Sequence, residues 1–137
     1  MKVKGIGWVG LCADRWDATV GFYRDVMGLA PAGEGFQSDP RDAGVRFVAM
    51  KAANGDMVEV FGPGLADREL FRTPMVGFVV DDVAAARAEM EGKGAVFVGP
   101  VVRAGSWEWS YFRNPEGHVH QILAETGPTQ RRRGEPG

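Results

Sequence analysis

The chain has 137 residues, of which 45% are hydrophobic and 25% charged, with one cysteine and two histidines. Such a length fits one domain that buries roughly two thirds of its unfolded surface without a staple; a single cysteine excludes an internal disulfide and a Cys-based zinc site. The net charge of -2, with no basic stripe, argues against a nucleic-acid partner, and the apolar runs are far too short to span a membrane.

The N-terminal segment has neither a long apolar stretch nor a small-residue cleavage site. A cytoplasmic globular protein is the expectation. The first element is a short apolar run, Trp8 to Asp14, which reads as a strand whose terminal Asp caps the following helix. Trp16, Val20, Tyr23 and Met27 then recur at helical spacing and predict one buried stripe, with Gly28 where the helix should end. Gly33 to Gly44 reads as a long polar loop, in which Phe36 is a candidate plug. Val45–Met50 and Met57–Phe61 read as strands, and Asn54-Gly55 between them is a hairpin signal. Leu65 to Thr73, flanked by prolines, is a connector.

The pattern then repeats. Trp8-Val9-Gly10 through Asp14 lies over Met75-Val76-Gly77 through Asp81 at a constant offset of 67. A second helix carries Val83, Ala86, Arg87 and Met90 on one face, with Gly92 and Gly94 at its end. Strands Val96–Val98, Trp107–Arg113 and His118–Leu123 follow, and Gly117 to Ile122 matches Gly55 to Val60 at an offset of 62. Each half therefore reads β-α-β-β-β. The fold class is α+β: two βαβββ modules, about 4–62 and 74–125, forming a curved sheet around a central cavity. Residues 126–137, which include Arg131 to Arg133, read as a flexible tail.

Strand alternation assigns the faces. If Glu59 points inward, so do Met57 and Phe61, and by the repeat Val119, Gln121 and Leu123. Trp8, Gly10 and Cys12 correspond to Met75, Gly77 and Val79. In the aromatic strand Trp107, Trp109 and Tyr111 share one face and Glu108, Ser110 and Phe112 the other; which face is inside stays open. His118 and His120 alternate with Gln121 and point away from it, which reads as surface or interface imidazoles. Cys12 reads as a small buried filler.

These segments resemble the vicinal oxygen chelate superfamily, the glyoxalase/bleomycin resistance/dioxygenase group, over roughly residues 4–125. The resemblance rests on Phe22-Tyr23-Arg24-Asp25-Val26-Met27-Gly28-Leu29, on Met57-Val58-Glu59-Val60, on Val80-Asp81-Asp82-Val83, and on Tyr111 through His118 with its Asn-Pro-Glu-Gly turn. It implies that metal-dependent relatives would place ligands at Trp8, Glu59, Met75 and Gln121. Indole offers no lone pair, a thioether is a soft ligand, and an amide ligates weakly. No metal and no cofactor is therefore expected. What is left is an aromatic and thioether pocket lined by Trp8, Met57, Phe61, Met75, Trp107 and Trp109, with Phe36 at its mouth and Glu59 and Gln121 as polar groups. Such walls suit an aromatic or cationic small molecule. The leading expectation is a metal-free, homodimeric binding or sequestering protein, its ligand an antibiotic or other natural product. The alternative is a glyoxalase-like lyase, isomerase or dioxygenase, metal-dependent or with Glu59 as catalytic general base. A collapsed structural module is the third possibility.

Overall fold

The computed structural model describes residues 1–126. The expected flexible tail lies, from residue 127 onward, outside the described residues. The chain divides into two compact units: Trp8–Met75, and Met1–Gly7 together with Val76 onward.

In the first module, β1 (Gly5–Cys12), which lies in the Trp8–Met75 unit from Trp8 on, leads into α1 (Trp16–Gly21). Then come β2 (Ala30–Phe36), β3 (Arg46–Lys51) and β4 (Met57–Phe61). The strands pair in the order β2-β3-β4-β1, with β1 parallel to β4 and the others antiparallel. In the second module, β5 (Met75–Val79), which lies in the other unit from Val76 on, α2 (Val83–Gly92), β6 (Val96–Ala104), β7 (Trp107–Arg113) and β8 (Val119–Glu125) follow in turn. Their order is β5-β8-β7-β6, again with one parallel pair, β5 with β8. The two modules thus share one topology, as the repeat requires.

Each sheet buries one face under its helix. In the first module Val48, Met50 and Val60 are buried with Ala13 and Val20, and Leu11, Trp16, Tyr23 and Val58 pack around them. In the second, Ile122, Ala124 and Val80 are buried with Val83 and Ala86, and Phe78, Met90, Phe97 and Phe112 surround them. Each fully buried aliphatic or thioether side chain contributes about 1.5–3 kcal/mol, so these two clusters fix which face of each strand turns to its helix.

Four details depart from the sequence reading. Asp14 does not cap α1; the N-cap is Arg15, without a side-chain cap bond. The cap of α2 is Asp82, whose carboxylate accepts the Ala85 N–H at 2.9 Å, while Asp81 pairs with Lys4. The helical stripe also ends early: α1 loosens into a π-type turn at Phe22–Val26. That turn rotates Met27 out of the core, leaving it 56% exposed. Finally, Gly33 to Phe36 is not loop but the end of β2, paired with Arg46 to Ala49 of β3. Two glycines and a glutamate hide this strand from propensity, and its near-complete exposure removes the apolar alternation that would reveal it.

Candidate functional site

The register places the candidate residues face by face. Glu59 pairs with Gly10 on one side and with Ala49 on the other, and Phe61 pairs with Cys12 and Phe47. Since paired residues share a face, Trp8, Gly10, Met57, Glu59 and Phe61 all lie opposite α1. Trp8 lays its indole over Gly10, where an added Cβ would overlap the ring. It meets Phe61 edge-on at 5.9 Å and Phe71 at 6.2 Å, and Phe61 meets Phe71 at 5.7 Å. All three rings are buried. Met57 and Glu59 are half-buried beside them.

Phe71 is absent from the sequence-based site. It sits at the end of a short 3-10 turn, Arg68–Phe71, in the connector. The signal available was one aromatic residue within a strongly charged run.

In the second module Gln121 pairs with Gly77 and with Tyr111, and Leu123 pairs with Val79 and Trp109. That settles the open question about β7. Trp107, Trp109 and Tyr111 share the face of Met75 and Gln121, opposite α2. Glu108, Ser110 and Phe112 turn toward the helix side, where Ser110 accepts from the Arg87 guanidinium at 3.0 Å and Glu108 pairs with Arg103. Met75, Gln121 and Tyr111 are buried, whereas Trp107 and Trp109 are half-buried. The Trp109 indole nitrogen is itself buried and has no hydrogen-bond acceptor among the described residues.

Two expectations need revision. Phe36 pairs with Arg46, and Arg46 stacks on Trp16 of α1. Phe36 therefore lies on the helix side, 67% exposed, and not on the face of Trp8 and Glu59. His120 does turn away from Gln121, but not to the surface. It packs between Phe78 at 5.5 Å and Phe112 at 5.8 Å, and its Nδ1 is buried without a partner among the described residues. Cys12 is part-buried, its thiol 3.4 Å from the Gly62 carbonyl. Burial, and then the nearby Asp14 charge, push its pKa up, while Arg68 opposes them; a neutral thiol at physiological pH is a poor nucleophile.

The four positions that the family resemblance assigns to a metal do not fit one. Trp8 fills its position with ring carbons packed on Phe61 and Phe71. Met75 offers a buried thioether and Gln121 a buried amide, leaving Glu59 as the one anionic donor. Among the described residues no three His, Cys, Asp or Glu side chains gather as a metal site would need. Hard divalent ions in such sites require several imidazole or carboxylate donors.

The model of the Glyoxalase/Bleomycin resistance protein/Dioxygenase superfamily matches residues 5–122. A search of curated proteins returns no match. Among solved structures, methylmalonyl-CoA epimerase from Mycobacterium tuberculosis superposes with a TM-score of 0.70 at 16% identity, covering 91% of this chain and 90% of that one. A variant of the Streptomyces coelicolor methylmalonyl-CoA epimerase, in complex with 2-nitronate-propionyl-CoA, gives 0.67 at 18% identity, covering 92% and 100%. A hypothetical protein from Bacillus halodurans C-125 gives 0.69 at 12% identity, covering 92% and 97%. Identities this low speak to the fold alone. No helix among the described residues is long and apolar enough to cross a membrane.

Proposed function

We propose, for a chain that belongs to the glyoxalase/bleomycin resistance/dioxygenase superfamily, that it binds and sequesters a small planar organic molecule without a metal ion. The observation that carries this reading is the Trp109 indole N–H, buried and without an acceptor among the described residues, on the same strand face as half-buried Trp107 and buried Gln121. A buried donor left unpaired costs roughly 1–3 kcal/mol. An acceptor atom on a bound ligand recovers that cost, and the indole rings supply stacking surface of the kind that holds flat ligands. Within the first module, taken by itself, the half-buried Glu59 carboxylate on the face of Trp8 and Phe61 suits a positive or hydrogen-bond-donating group. Antibiotics and other aromatic natural products fit this description.

Titration of a panel of planar aromatic compounds against intrinsic tryptophan fluorescence tests the reading. Saturable quenching by a compound that bears an acceptor is expected. Trp109→Phe keeps a ring and removes the donor, so it should weaken that ligand about tenfold while leaving stability unchanged or raised. No saturable response across the panel, or equal affinity in Trp109→Phe, would contradict it.

A second reading rests on Glu59 itself. It is a half-buried carboxylate beside three buried rings, an environment that suits a general base. In that reading Glu59 removes a proton from carbon next to a carbonyl, as a metal-free isomerase or lyase would. A Glu59→Gln variant that binds ligand normally but loses at least a hundredfold in turnover would favour it. Undiminished turnover would remove it.

A further inference from the structure

A cleft lies on the helix side of the first module's sheet, against α1, and encloses about 500 Å³. Its size is that of a small-ligand site. The floor is Val20, Val48 and Met50, all buried. The cleft exists because α1 has six residues before it loosens into the π-type turn. The helix covers Leu11, Val58 and Val60 but stops short of β2, where only Gly35 is even half-buried. A bulge between Pro31 and Gly33 bends that strand at the cleft wall.

The opposite wall is Trp16, and the Arg46 guanidinium stacks on its indole at 4.4 Å. The Arg46 guanidinium makes no hydrogen bond or ion pair among the described residues, and its stacking on the indole is the contact that holds it. The chain thereby shows that this shelf accepts a planar cation. Of the other charges, Arg24 is matched by Asp25, which it grips through two bonds at 2.9 and 3.0 Å. Asp17 and Glu34, which also line the cleft, form no salt bridge among the described residues. The lining therefore carries one more negative than positive charge once Arg24 and Asp25 are set aside.

We propose that this cleft binds a planar organic cation, an amidinium or guanidinium on an apolar body, which displaces Arg46 from Trp16 and is countered by Asp17 and Glu34. Arg46 acts as a built-in competitor. Its exposed side chain swings into solvent, the ligand takes its place on the indole, and the apolar body settles on Val48 and Met50. The site is on the opposite sheet face from Trp8 and Glu59, and it stands or falls apart from the ligand proposed for those residues.

Benzamidine is a suitable probe and benzoate its control of opposite charge. Binding is read by two-dimensional 15N NMR on the full chain, with the Trp16 indole signal assigned by its loss in Trp16→Phe. Benzamidine should shift the Trp16 indole and the Val48 and Met50 amides saturably, and benzoate should not. Asp17→Asn with Glu34→Gln should weaken binding about fivefold. Arg46→Ala should tighten it about threefold by uncovering the shelf. Asp17, Glu34 and Arg46 are exposed, so the charge variants are expected to fold. Shifts confined to the Trp107 and Trp109 indoles would mean that the probe binds the second module instead, and would overturn this site while leaving the proposal for Trp109 intact. Equal response to benzoate, or weaker binding in Arg46→Ala, would overturn it as well.

Discussion

Trp8 and Gly10 form one unit, because the indole of the first occupies the volume above the second. A methyl group at position 10 has nowhere to go, since the ring is itself pinned by Phe61 and Phe71. Gly10→Ala should therefore destabilise the protein by about 2–3 kcal/mol in chemical denaturation. Combined with Trp8→Leu, its extra cost should shrink by at least ~1 kcal/mol; strict additivity would show that ring and glycine do not share that space. His120 makes the opposite case. Between Phe78 and Phe112, with a buried and unpartnered nitrogen, it loses in solvation what it gains in packing. His120→Leu should leave stability unchanged or raise it by about 1 kcal/mol, and a loss above that size would mean the imidazole has a compensating partner. Cys12, with its pKa raised by burial and by Asp14, stays protonated as pH rises through the range where an ordinary thiol ionises. Alkylation of the native protein by iodoacetamide should accordingly lag behind that of the unfolded chain at every pH below the raised value. Matching rates would place the thiol in solvent.

The repeated turn is the feature that ties element to sequence. In the first module the Ala52 N–H donates to the Asp56 carbonyl at 2.8 Å and the Gly55 N–H to the Ala52 carbonyl at 3.0 Å. In the second, Asn114 donates to His118 and Gly117 to Asn114, both at 2.8 Å. Gly55 and Gly117 close these turns at φ of +91° and +88°, in the left-handed region that side chains avoid. Gly117→Ala should cost about 1 kcal/mol or more and mostly speed unfolding, measurable by stopped-flow. A neutral effect would mean that the turn relaxes to another form. These turns were legible in the sequence because Asn-Gly and Asn-Pro-Glu-Gly are local signals that owe nothing to packing. The strand β2 was not legible, because its residues answer to pairing with β3 and to no core. The capping of α1 misled for a related reason. Asp14 has the right chemistry but stands one residue too early for the N-cap, a shift too small for sequence spacing to resolve.

For the whole molecule, the repeat at constant offset was enough to give two modules of equal topology, since matched strand, helix and turn signals reinforce one another. The site was legible in part. Alternation gave the shared face of Trp8, Met57, Glu59 and Phe61 within one module and of Met75 and Gln121 within the other. It could not orient β7, because aromatic residues stand on both of its faces and only pairing with β8 breaks the tie. Phe71 escaped because its burial comes from tertiary packing of a connector, and Phe36 was misassigned because its strand was missed. The expected pairing of two chains is open to direct measurement: light scattering coupled to size exclusion should give about twice the chain mass of 14.8 kDa, and the mass of a single chain would rule it out.

The proposed function is that the chain holds an organic ligand without a metal ion. Native mass spectrometry of protein purified from its host without chelator tests it most directly. A bound organic mass is expected that survives EDTA, falls in occupancy in Trp109→Phe, and is accompanied by less than about a tenth of an equivalent of divalent metal. A stoichiometric divalent metal adduct, removed by EDTA and absent from Glu59→Ala, would contradict it.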